Sequence, residues 1–298
     1  YNSIIMKIID CFMYFDEDMV LDIRLNTLDK FVSKFVICEA NFNHNGTKRE
    51  FLFDINKFSK FRDKIIYMRL DKQPKSIKII NENDTLLVKN SKILDNALLR
   101  ENFQRNFLHN EIKQFNDEDL IIISDLDEIP NLYNFEYKHK ITFFEQKMFY
   151  YKLNLVHPNF LWFGSKICKK KHLISPQWLR NIKSKKYSFW RFDILFSTSK
   201  YNNIGFKKNG GWHFTNIKTP EKIDYKMKNF LHHLEYEESG FGVQDVEKMI
   251  DEKKVFYDHG ADKKQKKYET SISLIKEDED TLPSYIASNK EKFKNWLD

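Results

Sequence analysis

The sequence predicts an α/β protein organised around a mostly parallel, doubly wound sheet, and three observations carry that reading. Short apolar runs alternate with amphipathic ones over the first 130 residues, the pattern of strands joined by crossover helices. One of those runs, "DLIIISDLDEIP" (Asp119 to Pro130), drives four apolar residues straight into three carboxylates and a proline. Beyond it the apolar runs lengthen and their punctuation changes, which predicts a mixed, more antiparallel second half.

Taken in order, Ile4 to Phe12 reads as the first strand, and its apolar run is too short for a secretory leader with a cleavage site. "EDMVLDIRLNTLDKFVSKF" follows with Val20, Ile23, Leu28, Phe31 and Phe35 at helical spacing. "FVICEA" (Phe35 to Ala40) and "KIIYMRL" (Lys64 to Leu70) are strands, separated by the polar stretch "NFNHNGTKRE". Asp71 to Ser91 is polar and aperiodic, which predicts a loop. "LLRENFQRNFLHNEIKQF" then predicts an amphipathic helix with Leu99, Phe103, Phe107, Ile112 and Phe115 on one face. "EQKMFYYKLNLV" and "SFWRFDILFSTS" read as longer strands of the second half. "GGWHF" opens as a glycine-punctuated strand and gives way to a helix capped by Thr219 with Pro220 at its first position. A further helix starts near Gln244, and "LPSYIASNKEKFKNWL" predicts a closing amphipathic helix with Ile286, Phe293 and Leu297 on its apolar side. There is no internal repeat and no linker. The expectation is one domain over 1–298, with a nucleotide-binding half to about 130, an acceptor-side half to about 260 and a helical extension after it.

Composition narrows the class. With 41% hydrophobic and 15% aromatic residues the 298-residue chain can bury a large core, and 8 glycines and 6 prolines exclude a fibrous or linker-rich protein. Three widely spaced cysteines without a C-x-x-C pair exclude a disulfide scaffold and suit a reducing compartment. No apolar run approaches the length of a membrane span, so the expected location is cytoplasmic. The net charge of +7 favours anionic partners, but the lysines are scattered, as at 169–171 and 263–267, and read as solvated faces. A nucleic-acid or polyanion-binding protein is the competing class, although no RNP-like or helix-turn-helix signature supports it. No nucleic-acid partner is expected, and the oligomeric state is not legible.

The strand-end carboxylates point to chemistry. Two aspartates one residue apart, Asp125 and Asp127, can face one cavity at the carboxyl end of a strand, where open α/β sheets bind ligands. Such a pair suits Mg²⁺ or Mn²⁺ held together with substrate phosphates. Solvated loop carboxylates are the plain alternative. A haloacid-dehalogenase-like phosphatase, with the first aspartate as nucleophile, is another. It expects its motif near the chain start and no Glu128 directly after it.

Four blocks in order, "DCFMYFDEDMVLDIRLNTLDKFVSKFVICEANFNHNGTKRE", "RENFQRNFL", "SDLDEIP" and "GGWHFTNIKTPEKI", resemble glycosyltransferase family 17. That family includes the bisecting β-1,4-N-acetylglucosaminyltransferase of N-glycan processing. The resemblance implies a GT-A-type, Rossmann-like fold, a UDP-sugar donor, a divalent metal, inversion at the anomeric carbon and a glycan acceptor. It puts Asp127 on the metal, Asp125 on the ribose or the metal through water, and a late histidine, His213, as a further ligand. Arg100, ahead of Arg105, is the candidate for neutralising the diphosphate. Glu39 and Asn41, at the end of the second strand, are placed for the nucleotide. Asp245 is the first candidate for the catalytic base, Glu128 the second, with Glu237 and Glu238 behind them. A degenerate transferase acting as a scaffold has the same sequence features.

Overall fold

A computed structural model describes residues 6–188, 190–194, 196–231, 233–257, 268 and 270–298. Ile4 and Ile5 of the expected first strand, and the lysines of 263–267, lie outside the described residues.

The first half is a four-stranded parallel sheet. β1 (Ile8–Met13) leads through α1 (Asp18–Leu28) to β2 (Lys34–Ala40) and then to β3 (Ile65–Leu70). α2 (Leu86–Phe107) and α3 (His109–Ile112) bring the chain back across β1 to β4 (Leu120–Ile123), giving the order β3-β2-β1-β4. All three pairings are parallel. Both faces are covered, so the strands are near-continuous apolar runs. Alternate residues serve different cores: Phe12, Phe35, Ile37, Leu120 and Ile122 pack with the apolar side of α1. Ile9, Cys11, Val36, Ile121 and Ile123 pack with Leu108 and Ile112 on the other face. The direction of strand addition reverses between β1 and β4, and the carboxyl ends of those two strands open a crevice.

The second half is mixed. β5 (Glu128–Pro130), β6 (Ile141–Tyr150), β7 (Leu155–Trp162) and β8 (Lys166–Lys169) are followed by α4 (Pro176–Asn181), the long β9 (Ile204–Thr215), α5 (Pro220–Asn229), α6 (His233–Ser239) and α7 (Val243–Asp251). β8 joins the halves, antiparallel to both β4 and β6. β7 and β10 (Ile275–Lys276) extend the sheet antiparallel. β9 runs parallel to β6 and carries β5 on its other edge, with Glu128 opposite His213. Gly211 makes that last pairing possible: it sits at φ +133°, and a Cβ there would lie 2.1 Å from the Ile129 carbonyl oxygen.

The parallel first half and the mixed second half match the expectation, and β6 with β9 adds a parallel pair to the second. Several other expectations need correction. The first helix stops at Leu28, because Phe35 belongs to the buried face of β2. α2 begins at Leu86, inside the stretch expected to be a loop, where Thr85 caps it by accepting the Val88 N–H. Its buried residues are Asn96, Ala97, Arg100, Gln104 and Arg105, while Phe103 and Phe107 of the expected face are half-buried against the core that contains Ile112. "SFWRFDILFSTS" forms no strand among its described residues, only a single helical turn at Phe192–Ile194. The chain closes not on one helix but on two single turns, α8 (Ser284–Ala287) and α9 (Lys290–Phe293), which bury Ile286 and Phe293 against the α1 core.

One buried residue ties these parts together. Arg24 of α1 is fully buried and pairs at 2.6 Å with the equally buried Asp10 of β1. The same guanidinium donates to the carbonyl oxygens of Asp125 (2.9 Å), Leu126 (3.0 Å) and Glu128 (2.9 Å) and to the Ser124 hydroxyl. Arg24→Met would leave Asp10 charged and three carbonyls unpartnered. It should cost about 3–5 kcal/mol of unfolding free energy, read from the shift of a urea transition. A loss within about 0.5 kcal/mol, the range of an ordinary surface change, would show that the clamp is not structural.

Candidate active site

The crevice at the β1–β4 switch deepens into a cavity of about 310 Å³. Its floor is the β4–β5 loop. Asp125 extends from that floor to two arginines: its Oδ1 accepts from Arg105 of α2 at 3.0 Å and its Oδ2 from Arg180 of α4 at 2.8 Å. Burial raises the Asp125 carboxyl pKa, but the charges of Arg180 and Arg105 outweigh it and the net shift is downward. Glu128, fully buried, receives Arg180 on both oxygens (2.7 and 3.0 Å), the Trp162 indole N–H at 2.5 Å and the Asp125 backbone N–H at 2.8 Å. Glu101 adds a third carboxylate, bonded to Arg105 at 2.8 Å.

Asp127 belongs to a second cluster. Its Oδ1 lies 3.5 Å from His213 Nε2 and its Oδ2 lies 3.6 Å from the Lys226 ammonium. Lys226 also faces Glu17 at 3.7 Å, and Lys218 stands 3.4 Å from Glu17 and pairs with Asp16. Burial raises the Asp127 carboxyl pKa, yet His213 and Lys226 together hold it well below the usual carboxylate range. The same opposition lowers Glu17, and it raises Lys226 against the burial that would lower it. The first cluster sets three carboxylates against two arginines, and the second sets three carboxylates against two lysines and a histidine.

Which groups could hold the expected divalent cation is a narrower question than the sequence suggested. Among the described residues, no three His, Cys, Asp or Glu side chains form a metal-ready group. Asp127 and His213 are adjacent and point at one another, so both can turn to one ion, with phosphate and water completing its shell. Asp125 has both oxygens committed to arginines, so it does not stand ready as a direct ligand. The residues present therefore fit a two-ligand site that depends on substrate oxygens.

The other predicted residues fall as follows. Arg105, not Arg100, lines the cavity; Arg100 donates to Gln73 at 2.8 Å and to the His44 carbonyl at 3.2 Å, behind the loop after β2. Glu39 is fully buried and used structurally, accepting from Arg49, from the Leu52 and Phe53 N–H groups and from the Tyr67 hydroxyl. Asn41 is bonded through its backbone to Leu70 and Arg49, and its neighbours Phe42, Asn43 and His44 reach the cavity instead. Asp245 does not line the cavity; it accepts the Gly242 N–H at 2.9 Å at the start of α7. Glu237 and Glu238 do not line it either. Glu128 lines it with each of its oxygens already accepting two hydrogen bonds, a poor position from which to take an acceptor proton. Sequence reasoning missed Arg24, Glu17, Arg180, Lys218 and Lys226. Of these, Lys218 and Lys226 had a faint signal: Lys218 opens the "KTPEKI" run and Lys226 lies three residues beyond it.

The pairing of Asp127 has a sign that can be measured. Its folded-state pKa is depressed, so its contribution to stability is complete above the unfolded value near 3.9 and is lost as pH falls below it. Wild-type stability should therefore drop more steeply below about pH 4 than that of Asp127→Asn, followed by thermal denaturation across pH. Parallel curves would show that His213 and Lys226 give the carboxylate no net stabilisation.

A comparison with curated proteins gives no match. The family model described as glycosyltransferase family 17 matches residues 2–298, nearly the whole chain, and takes in both carboxylate clusters, α4 and α5. The chain belongs to glycosyltransferase family 17.

Proposed function

We propose that this glycosyltransferase is a metal-dependent, inverting enzyme of the GT-A type. In this reading it moves a sugar, N-acetylglucosamine by the family resemblance, from a UDP-sugar to a hydroxyl of a glycan. One observation carries the reading: a cavity at the β1–β4 switch in which Asp127 and His213 stand among Arg105, Arg180 and Lys226. A diphosphate is the ligand that such a mixture of ion-binding carboxylate and fixed cations would suit.

Mg²⁺ or Mn²⁺, held by Asp127 and His213, would supply Lewis-acid neutralisation of the departing diphosphate. The chain's own residues do the rest. Lys226, pre-set within 4 Å of Asp127, donates to the phosphate oxygen on which charge develops. Arg105 and Arg180 keep the loop carrying Asp125 and Asp127 in one geometry, so that little reorganisation is needed as the sugar leaves. Trp162, Phe256 and Tyr257 bring aromatic surface from the second half to the same cavity, suited to the apolar face of a sugar. Glu17 is the base in this proposal. Apart from the Asp16 N–H on its other oxygen, its nearest donors are the ammonium groups at 3.4 and 3.7 Å, and it caps no helix through its side chain.

Calorimetric titration of UDP tests the site. Binding should require Mn²⁺ and weaken roughly tenfold to a hundredfold in Asp127→Ala. UDP affinity indifferent to both would end the metal-assisted reading. In Lys226→Gln, Mn²⁺ should bind the free protein more tightly, because a competing cation is gone, while kcat falls about a hundredfold. Glu17→Gln should keep UDP affinity and lose about 10²–10⁴ in kcat; turnover within a few-fold of wild type would remove Glu17 from the mechanism.

A further inference from the structure

We infer that the segment from Lys183 to Lys200 docks this enzyme on an anionic lipid surface. Three large apolar side chains stand out of it into solvent: Trp190 is 73% exposed, Phe192 78% and Phe196 90%. Single exposed apolar residues are ordinary, but three aromatic side chains within seven positions are not. The same stretch holds five basic residues, Lys183, Lys185, Lys186, Arg191 and Lys200, against one acid, Asp193. That acid is already engaged, by Arg191 at 2.9 Å and Lys200 at 2.8 Å. Lys183, Lys185 and Lys186 are all exposed. Aromatic side chains beside uncompensated lysines suit the headgroup region, where rings enter the interface and ammonium groups meet anionic lipid. Ile79, Leu86 and Leu87 are also exposed, but they are aliphatic and lack that interfacial chemistry.

The segment is built out from a fixed base. Its ends are joined by the Lys183 N–H donating to the Ser199 carbonyl at 2.9 Å, and Trp178 of α4 donates through its indole to the Thr198 carbonyl at 2.9 Å. Ile194 is turned inward and buried, so the aromatic side chains point out because a neighbour anchors the turn. The base is also joined to the catalytic cavity. α4 carries Arg180, which holds Asp125 and Glu128, three residues before the segment begins. A second groove of about 430 Å³ shares Glu101, Arg105, Trp162 and Arg180 with the main cavity and takes in Asn181 and Ser184 at the root of the segment. A surface-held acceptor would thus meet the enzyme beside its own site. No helix among the described residues is long and apolar enough to cross a membrane, so the contact would be peripheral.

The test is co-sedimentation of the full chain with phosphatidylcholine vesicles, with and without phosphatidylglycerol. Binding is expected to the anionic vesicles only, to weaken with salt, and to fall about a hundredfold in Lys183→Ala/Lys185→Ala/Lys186→Ala, at roughly a few-fold per lysine. Trp190→Ala/Phe192→Ala/Phe196→Ala should also abolish it, with thermal midpoint and circular dichroism unchanged. Failure of the wild type to sediment with anionic vesicles would overturn the inference, as would undiminished binding by both triple variants. Preference for a single-stranded oligonucleotide over vesicles, with loss in the lysine variant alone, would overturn it in favour of nucleic acid. Concentration-dependent self-association that disappears in the aromatic variant would overturn it in favour of a contact between copies.

Discussion

The site depends on a buried arginine that never touches its cavity. Arg24 satisfies Asp10 beneath it and the carbonyls of Asp125, Leu126 and Glu128 above it. A loop that leaves a strand and changes direction exposes carbonyls that no ladder satisfies, and burying them unpaired is costly. Five donors in a rigid fork solve this at one point. The Asp10 carboxylate makes the buried charge tolerable, and Phe12, 4.4 Å below the guanidinium, shields it further. With the carbonyls drawn inward, the side chains of Asp125 and Asp127 are left to face outward into the cavity. The carboxylates are therefore presented by their own backbone, and that backbone is held by a residue a hundred positions earlier.

The same logic governs charge. Asp125 and Glu128 share Arg180, and Arg180 comes from a six-residue helix between β8 and β9. Asp127 and Glu17 share Lys226, from α5. Two carboxylates one residue apart would repel strongly in a buried site; separate cations reached from separate elements keep both ionised. This division gives the two members of D-x-D different duties. Asp125 is a fixed strut between two bidentate-capable guanidiniums. Asp127 meets its cations at 3.5 and 3.6 Å, long enough to be exchanged for an ion. Burying each pair contributes little net stability; what it provides is position.

How much of this the sequence carried can be argued residue by residue. The parallel half was legible because buried strands are apolar runs and "LIII" and "FVIC" have few other uses. The glycines of "GGWHF" announced a close backbone approach, and Gly211 does lie against the Ile129 carbonyl. α2 was legible in the Phe103 and Phe107 side, which packs on the core, and not in the polar face of Glu101, Gln104 and Arg105 that walls the cavity. "SFWRFDILFSTS" misled because a run rich in aromatic residues resembles a strand whether its side chains are inside or out. Glu39 and Asp245 sat at sensible places, but strand ends and helix starts also need carboxylates for ordinary structural bonds. Nothing local distinguishes an acid that binds a ligand from one that accepts a loop's N–H groups.

Lys226 shows why such a site resists reading from a motif. It is placed by α5, and α5 is placed by Asn229, whose side-chain oxygen accepts from Asn43 at 3.0 Å and Asn45 at 3.1 Å in the loop after β2. Those residues are more than 180 positions apart, and asparagines carry no spacing signal. The cavity wall is closed at this seam, where Phe230 packs on Phe15 at 5.5 Å and on His44 at 5.1 Å. The first half supplies carboxylates and the floor, and the second supplies most of the cations that balance them. Neither half could keep its charges buried alone, because each would hold an unpaired excess in a dry crevice. Docking of the halves and assembly of the site are in this sense one event, and the electrostatic demand of the carboxylates is part of what fixes α4 and α5 against the parallel sheet.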